Sequence, residues 1–312
     1  MGGIAFIFPG QGAQYIGMGK DIAMSYKKAD SIFNEASESL GIDMKEMIFS
    51  GDEDTLKITE NTQPAILTAS IALMQPLIQE GIYPDVVAGL SIGEYTAHVA
   101  AGTFLLKDAV NIVRKRGKFM QEAVPIGFGA MAAIIGLENN IVAECCMAAS
   151  KIGVVEPANY NCPGQVVISG EIKAVEAAME LCSQSGAKRA VLLNVSAPFH
   201  CSLMKSAGEK LALELEKVIL NDMIIPVVSN VNAQYITNKE EVKDLLIRQV
   251  SSPVFWEDSV RTMFKNGVDT FIEIGPGKTL SGFVKKISKD AKILNVENLD
   301  SLHTTIKEVC KR

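Results

Sequence analysis

Asp85-Val86-Val87-Ala88-Gly89-Leu90-Ser91-Ile92-Gly93-Glu94-Tyr95 joins a short apolar run to a helix-like stretch through a Gly-x-Ser-x-Gly turn. Glycines two before and two after the serine let the backbone fold sharply from strand to helix. The hydroxyl is then pushed out at the top of a sheet, where a substrate reaches it. The helix beginning there aims its N-terminal N–H groups at the same spot. A serine so placed forms an ester, and the chemistry implied is acyl transfer. Glycine and serine also populate ordinary turns; the strand before and the helix after separate this turn from those.

Outward from this turn, strand-like runs alternate with helical stretches. Residues 4–8 form a strand broken by Pro9-Gly10-Gln11-Gly12, and helices are expected over 18–40, 54–59, 64–79 and 106–122. Pro64 suits a first helical turn with Thr62 as a cap, and Pro76 should kink that helix or end its regular part. Between Pro125 and Pro198 the rhythm becomes β-α-β-β-α-β, with strands over 129–137, 153–159, 165–169 and 188–195. That is the order of the ferredoxin-like split unit. Helices over 201–218, 239–249, 254–266 and 279–288 and strands over 225–229, 270–274 and 292–296 complete the chain. The expected fold is α/β: a hydrolase-like, mostly parallel sheet flanked by helices, built from residues 1–125 and 199–312. A ferredoxin-like subdomain, 126–198, is inserted into it.

Composition narrows the function. The chain has 312 residues, 48% hydrophobic and 21% charged, with net charge −6. This suits a globule with a sizeable core and argues against nucleic-acid or anionic-membrane partners. No apolar run is long enough to span a bilayer. Met1-Gly2-Gly3-Ile4 lacks the basic region of a secretory signal. The cysteines at 145, 146, 162, 182, 201 and 310 match no zinc or redox spacing. No metal site, a cytoplasmic setting and a monomer are expected.

Three histidines limit the choice of base. His98 lies two helical turns beyond Ser91, about 10 Å along the axis, and reads as structural. His303 falls in a polar terminal helix. His200 follows Ala197-Pro198-Phe199 where the inserted unit ends, and a junction of two units is where a cleft forms, so His200 is the candidate base. Cys201 beside it reads as a packing residue. Gly10-Gln11-Gly12 lacks the third glycine of a dinucleotide loop. It is read as a tight turn whose Gln11 N–H joins that of Ile92 in an oxyanion hole, a plain structural turn being the alternative. Gly275-Pro276-Gly277-Lys278-Thr279 has isoleucine where a phosphate loop needs its first glycine, and reads as a strand-to-helix turn. In Arg114-Lys115-Arg116-Gly117-Lys118 most charges form a solvated face. One inward arginine, Arg116, could instead bind a carboxylate with two prongs.

Together these residues resemble the malonyl-CoA:acyl-carrier-protein transacylase family over essentially the whole chain. The matching segments are 8–14, 62–65, 89–95, 114–117, 159–165 and 198–200, with Gln249, Pro253-Val254, Trp256 and Glu273-Ile274-Gly275-Pro276-Gly277. The resemblance implies Ser91 as nucleophile, His200 as base, Gln249 holding the imidazole through a carbonyl oxygen, and the N–H groups of Gln11 and Ile92 as oxyanion donors. It makes Arg116 the clamp for the free malonyl carboxylate and adds Phe199, Gln63, Asn161 and Met120 as substrate-binding residues. Leu90 stands where many relatives carry histidine, while Phe199 looks like the malonyl-selecting form. The implied partners are malonyl-CoA and the phosphopantetheine thiol of an acyl carrier protein, with no cofactor. Lys188, Arg189, Lys285 and Lys286 are candidates for a basic docking rim. A thioester hydrolase using water and a carrier-binding scaffold with a dead site are the competing readings. An inward arginine and the lack of an acidic triad member favour transfer.

Overall fold

The computed structural model describes residues 2–195 and 197–311. Strands β1 (Gly3–Phe8), β2 (Val86–Gly89), β3 (Gly129–Ile135), β4 (Val155–Cys162), β5 (Gln165–Glu171), β6 (Arg189–Leu192), β7 (Val227–Val228), β8 (Tyr235–Ile236), β9 (Val268–Ile274) and β10 (Lys292–Val296) form two sheets. The larger runs β10-β9-β1-β2-β7-β8 and the smaller β4-β5-β3-β6. All pairings in the larger sheet are parallel except β7 with β8.

Strand β1 is central, flanked by β2 and β9, and its run Ala5-Phe6-Ile7-Phe8 is fully buried. A parallel strand covered on both faces needs such a continuous apolar run. Alternation then divides it. Phe6 and Phe8 enter the core that also holds Leu67 and Leu73 of the Thr59–Gln79 helix; Ala5 and Ile7 enter one holding Trp256 and Phe271. Because the strands run together, the chain leaves β1, β2, β7 and β9 along the same edge, the edge at which parallel α/β sheets bind ligands.

The smaller sheet is antiparallel throughout and carries the helices Asn139–Ala149 and Ile172–Gln184 on its own core, which includes Cys145, Cys146 and Cys182. Its strand order is that of the ferredoxin-like unit. Strand β4 ties it to the rest of the chain. Tyr160 N donates to Val254 O and Val254 N to Ala158 O, each at 2.9 Å, and the Tyr160 ring stacks on Phe255 with centroids 5.3 Å apart.

Several boundaries differ from the sequence reading. Residues 18–40 make two helices, Lys20–Ser25 and Lys27–Leu40, because Tyr26 between them is extended. The next long helix starts at Thr59, so Pro64 falls in its second turn; burial of Thr59, Thr62 and Gln63 outweighs the proline's preference for the first. Thr62 is no cap: its hydroxyl donates to the carbonyls of Leu56 and Ile58. The helix continues past Pro76 to Gln79. The short helix Met44–Phe49, capped by the Asp43 carboxylate, and the two-residue strand β8 carry too little periodicity to be seen in sequence.

Candidate active site

Ser91 stands between β2 and the Ile92–Ala100 helix with φ 55° and ψ −107°, a conformation that costs a non-glycine residue about 1–3 kcal/mol. Its two glycines are there for contact. A Cβ on Gly89 would lie 2.0 Å from the Gly93 carbonyl, and one on Gly93 would lie 2.2 Å from the Phe8 carbonyl oxygen. Strand and helix backbones touch, which forces the turn. Asn230, just after β7, locks it from behind: Nδ2 donates to Gly89 O and Oδ1 accepts from Ser91 N, both at 2.7 Å.

His200, itself at φ 60°, places Nε2 2.7 Å from Ser91 Oγ. Its Nδ1 lies 2.9 Å from the main-chain carbonyl of Gln249. A carbonyl oxygen only accepts, so Nδ1 carries the hydrogen and Nε2 offers its lone pair to the serine hydroxyl. Burial, then the charge of Arg116, push the imidazole's pKa down to about 3. The imidazole is therefore neutral near pH 7. Two residues on, Ser202 is held through its N–H and hydroxyl by the Glu156 carboxylate of β4, each at 2.8 Å, which anchors the loop that carries His200.

Arg116 is buried. One of its terminal nitrogens donates to Gln63 Oε1 at 2.9 Å; the other donates to Gln249 Oε1 at 2.9 Å and Ser91 Oγ at 3.1 Å. Its guanidinium also lies over the Tyr95 ring, 5.3 Å from the centroid. The Gln249 side chain thus serves Arg116, while only its backbone serves His200. Its amide nitrogen donates to Ser91 O at 3.0 Å and to the Glu94 carboxylate at 2.5 Å. Glu94 is fully buried and also accepts from Asn230 N at 3.1 Å.

A cavity of about 630 Å³ opens over Ser91. Gln11, Gln63, Ile92, Arg116, Met120, Asn161, Phe199 and His200 line it with Ser91; Gln249 stands behind, fully buried. Ile92 is the first residue of its helix, so its N–H has no preceding turn to bond. Gln11 lies in the turn after β1. The smaller sheet adds Met131, Ala133 and Val167 to the wall. His98 is fully buried, with a pKa pushed by burial down to about 3, and His303 is exposed. At the glycine turn after β9, Glu273 fills the helix N-terminus, accepting from Leu280 N and Ser281 N. Among the described residues no group of three or more His, Cys, Asp or Glu side chains could hold a metal ion. Glu94 and Asn230 were not singled out from sequence. For Asn230 the available signal was its place at the carboxyl end of a parallel strand.

The acyl transferase domain family matches residues 5–309. A malonyl CoA-acyl carrier protein transacylase of Bacillus subtilis is 49% identical over 308 residues, covering 98% of this chain and 97% of that protein. The crystal structure of the protein of that name from Clostridium perfringens superposes with a TM-score of 0.97 at 46% identity, covering 99% and 98% of the two chains. A malonyl-transacylase solved in complex with its type II PKS acyl-carrier protein gives 0.96 at 42% identity over 98% and 99%. A Gly-x-Ser-x-Gly turn whose serine meets a histidine and an arginine, on a fold shared from end to end at these identities, makes this chain a member of the malonyl-CoA:acyl-carrier-protein transacylase family.

Proposed function

We propose that the chain moves a malonyl group from malonyl-CoA to the phosphopantetheine thiol of an acyl carrier protein through a malonyl ester on Ser91. The observation that carries this reading is one oxygen with two partners: Ser91 Oγ is within hydrogen-bond reach of both His200 Nε2 and Arg116. His200 accepts the hydroxyl proton as Oγ attacks the thioester carbonyl. The N–H groups of Gln11 and Ile92 stabilise the oxyanion, a contribution of about 3 kcal/mol per donor. The proton then passes to the departing sulfur. In the second half the carrier thiol attacks the ester and His200 again removes the proton.

In the malonyl ester the free carboxylate hangs two carbon–carbon bonds of about 1.5 Å beyond the ester carbonyl. A guanidinium that already touches Oγ is placed to meet it. Gln63 and Gln249 hold that guanidinium, and Arg offers the two-pronged geometry that carboxylates prefer. Phe199 crowds the carbon between the two carbonyls, and Asn161 and Met120 close the sides. Nucleophile, base, oxyanion donors and cation are all protein groups, so the transfer calls for no cofactor. We assign residues 1–125 and 199–312 to the catalytic body and 126–198 to an inserted unit, since every strand of the smaller sheet lies between Gly129 and Leu192. Among the described residues no helix is long and apolar enough to cross a membrane. A monomeric cytoplasmic enzyme fits this reading. Of Lys188, Arg189, Lys285 and Lys286, Lys286 is bonded to Gln165 of the cavity wall at 3.2 Å and is the candidate for meeting an acidic carrier.

Mass spectrometry after mixing with malonyl-CoA and acetyl-CoA tests the assignment. The wild-type chain gains one malonyl group and Ser91→Ala gains none. Arg116→Ala loses malonyl loading by at least a hundredfold while acetyl loading is kept or improved. Equal losses for both donors would remove the clamp.

A further inference from the structure

Behind the nucleophile the protein buries a second charge that the reaction described above does not use. Glu94 and Arg116 are both essentially inaccessible, and the Gln249 amide joins them. Its Nε2 donates to the Glu94 carboxylate and its Oε1 accepts from the Arg116 guanidinium. A carboxylate that only accepts and a guanidinium that only donates leave the amide a single orientation. A cation buried alone is far costlier than one with a counter-charge, and in the empty site Glu94 is that counter-charge.

The substrate brings its own carboxylate to the same arginine. The buried group then holds two anions against one cation. We propose that Glu94 hands the arginine over: its ionised form balances Arg116 while the cavity is empty, it becomes protonated when the malonyl carboxylate is bound, and it returns to its former state when malonyl leaves. This rests on the reading of Arg116 as the malonyl clamp. Glu94 is thus a positioning residue, acting through Gln249 on the cation that meets the substrate.

The surroundings of Glu94 agree. Arg116, from the Leu106–Glu122 helix, is the cation acting on it, and Tyr95, next to it on its own helix, is kept neutral by burial. Gln249 from the Val242–Gln249 helix and the main-chain N–H of Asn230 after β7 supply neutral hydrogen-bond partners, both to Oε2. His200 faces Ser91 and the Gln249 carbonyl instead. Burial raises the Glu94 pKa to about 7 in the empty site, against the lowering effect of those partners and of Arg116. A second anion on Arg116 raises it further.

The proton balance makes the idea measurable. Acylation itself moves no net proton: the Oγ–C bond forms, the C–S bond breaks, and the Oγ proton goes through His200 to sulfur, leaving a free thiol. The proton taken by Glu94 comes from solvent in addition. The wild-type chain is mixed with malonyl-CoA in weak buffer containing a pH indicator, and malonyl-enzyme is counted by mass. Uptake of about half a proton per malonyl-enzyme is expected at pH 7, less at pH 6 and more at pH 7.5, following the ionised fraction of a group with pKa about 7. Glu94→Gln should show no uptake at any of these pH values. A protonated-carboxyl band should appear in the wild-type infrared difference spectrum on malonylation, told from the new ester carbonyl by its shift in D2O, a readout that needs no variant to fold. No uptake and no band, or uptake persisting in Glu94→Gln, overturns the proposal. If instead Arg116→Ala loads malonyl and acetyl alike, the clamp reading has failed and not the proton hand-over alone.

Discussion

The six-stranded sheet meets the cavity with backbone and charge, whereas the four-stranded sheet meets it with side-chain bulk. At the edge of the first, Gly89, Gly93 and Phe8 press main chain against main chain. Ser91, Asn230 and the Gln11 turn follow within a residue or a few of the ends of β2, β7 and β1. The second contributes Met131, Ala133 and Val167 to the wall. Its polar contributions there are uncharged amides, Asn159, Asn161 and Gln165, and its one charged hold is Glu156, which grips Ser202 near His200. The difference follows from strand direction. Parallel strands end together, so turns from distant parts of the chain converge and can fix atoms to fractions of an ångström. An antiparallel sheet alternates its ends and offers a face.

If that contrast is right, the largest effect comes from adding one methyl group to the first region. Gly93→Ala places a Cβ 2.2 Å from the Phe8 carbonyl oxygen, a contact that only backbone movement relieves. A loss of about 4 kcal/mol or more is expected, at the far end of single substitutions, together with loss of malonyl-enzyme formation. Gly282→Ala is the companion. It lies in the Thr279–Ile287 helix with nothing within 4 Å of its added Cβ, and should be neutral or stabilising by up to about 1 kcal/mol. Chemical denaturation of both variants measures the difference; similar midpoints would remove the claim that the elbow is set by backbone contact.

Acid should separate the two regions by a smaller margin. His98 and His200 are buried neutral with pKa about 3, and residues 126–198 contain no histidine. Unfolded histidines titrate near 6.5, so between pH 6.5 and 3 the unfolded chain binds more protons and stability falls with pH. Each group contributes at most about 1.4 kcal/mol per pH unit. Glu94, raised to about 7, acts the other way: its unfolded form ionises near 4.5, so it destabilises the fold as pH rises from 4.5 to 7. Glu273 and Asp258 are raised by burial too and join this opposition, which ends below their unfolded values of 4.5 and 3.8 while both histidines still cost stability. Amide exchange in β1 and β2 should therefore accelerate chiefly below the unfolded carboxyl range, after correction for intrinsic rates, while β3 and β5 hold longer. Parallel loss of protection in both sheets would show one cooperative unit instead.

The same contrast explains what could be read in the sequence. The Leu106–Glu122 helix and the Lys292–Val296 strand emerge with the bounds their periodicity gives, and Ser91, His200 and Arg116 stand out because their chemistry is unusual for their surroundings. The support behind them does not. Asn230 is 139 positions from the serine it holds, so its place just after a strand marks it as near the ligand edge but not as the partner of Ser91. Gln249 shows a subtler limit: a sequence names the residue but not which of its two carbonyls reaches the imidazole. Long-range contacts decide that the backbone oxygen does and that the side chain turns to Arg116.

The smallest effect belongs to the wall. Val167, in β5, is 6% exposed and packs with the main core where it borders the cavity. Val167→Ala removes two methyl groups that face bound substrate and touch no reacting atom. At about 0.8 kcal/mol per buried carbon the upper limit is near tenfold in affinity, and relaxation of neighbours reduces it to a few-fold. Since the contact is equal for substrate and transition state, KM for malonyl-CoA should rise a few-fold with kcat unchanged. Steady-state kinetics with a holo carrier protein measures both constants. A fall in kcat larger than the rise in KM would mean that the smaller sheet holds reacting groups in place. Glu156, through Ser202, would then be the route by which it does so, and the division between a sheet that fixes atoms and a sheet that supplies a face would have to be drawn elsewhere.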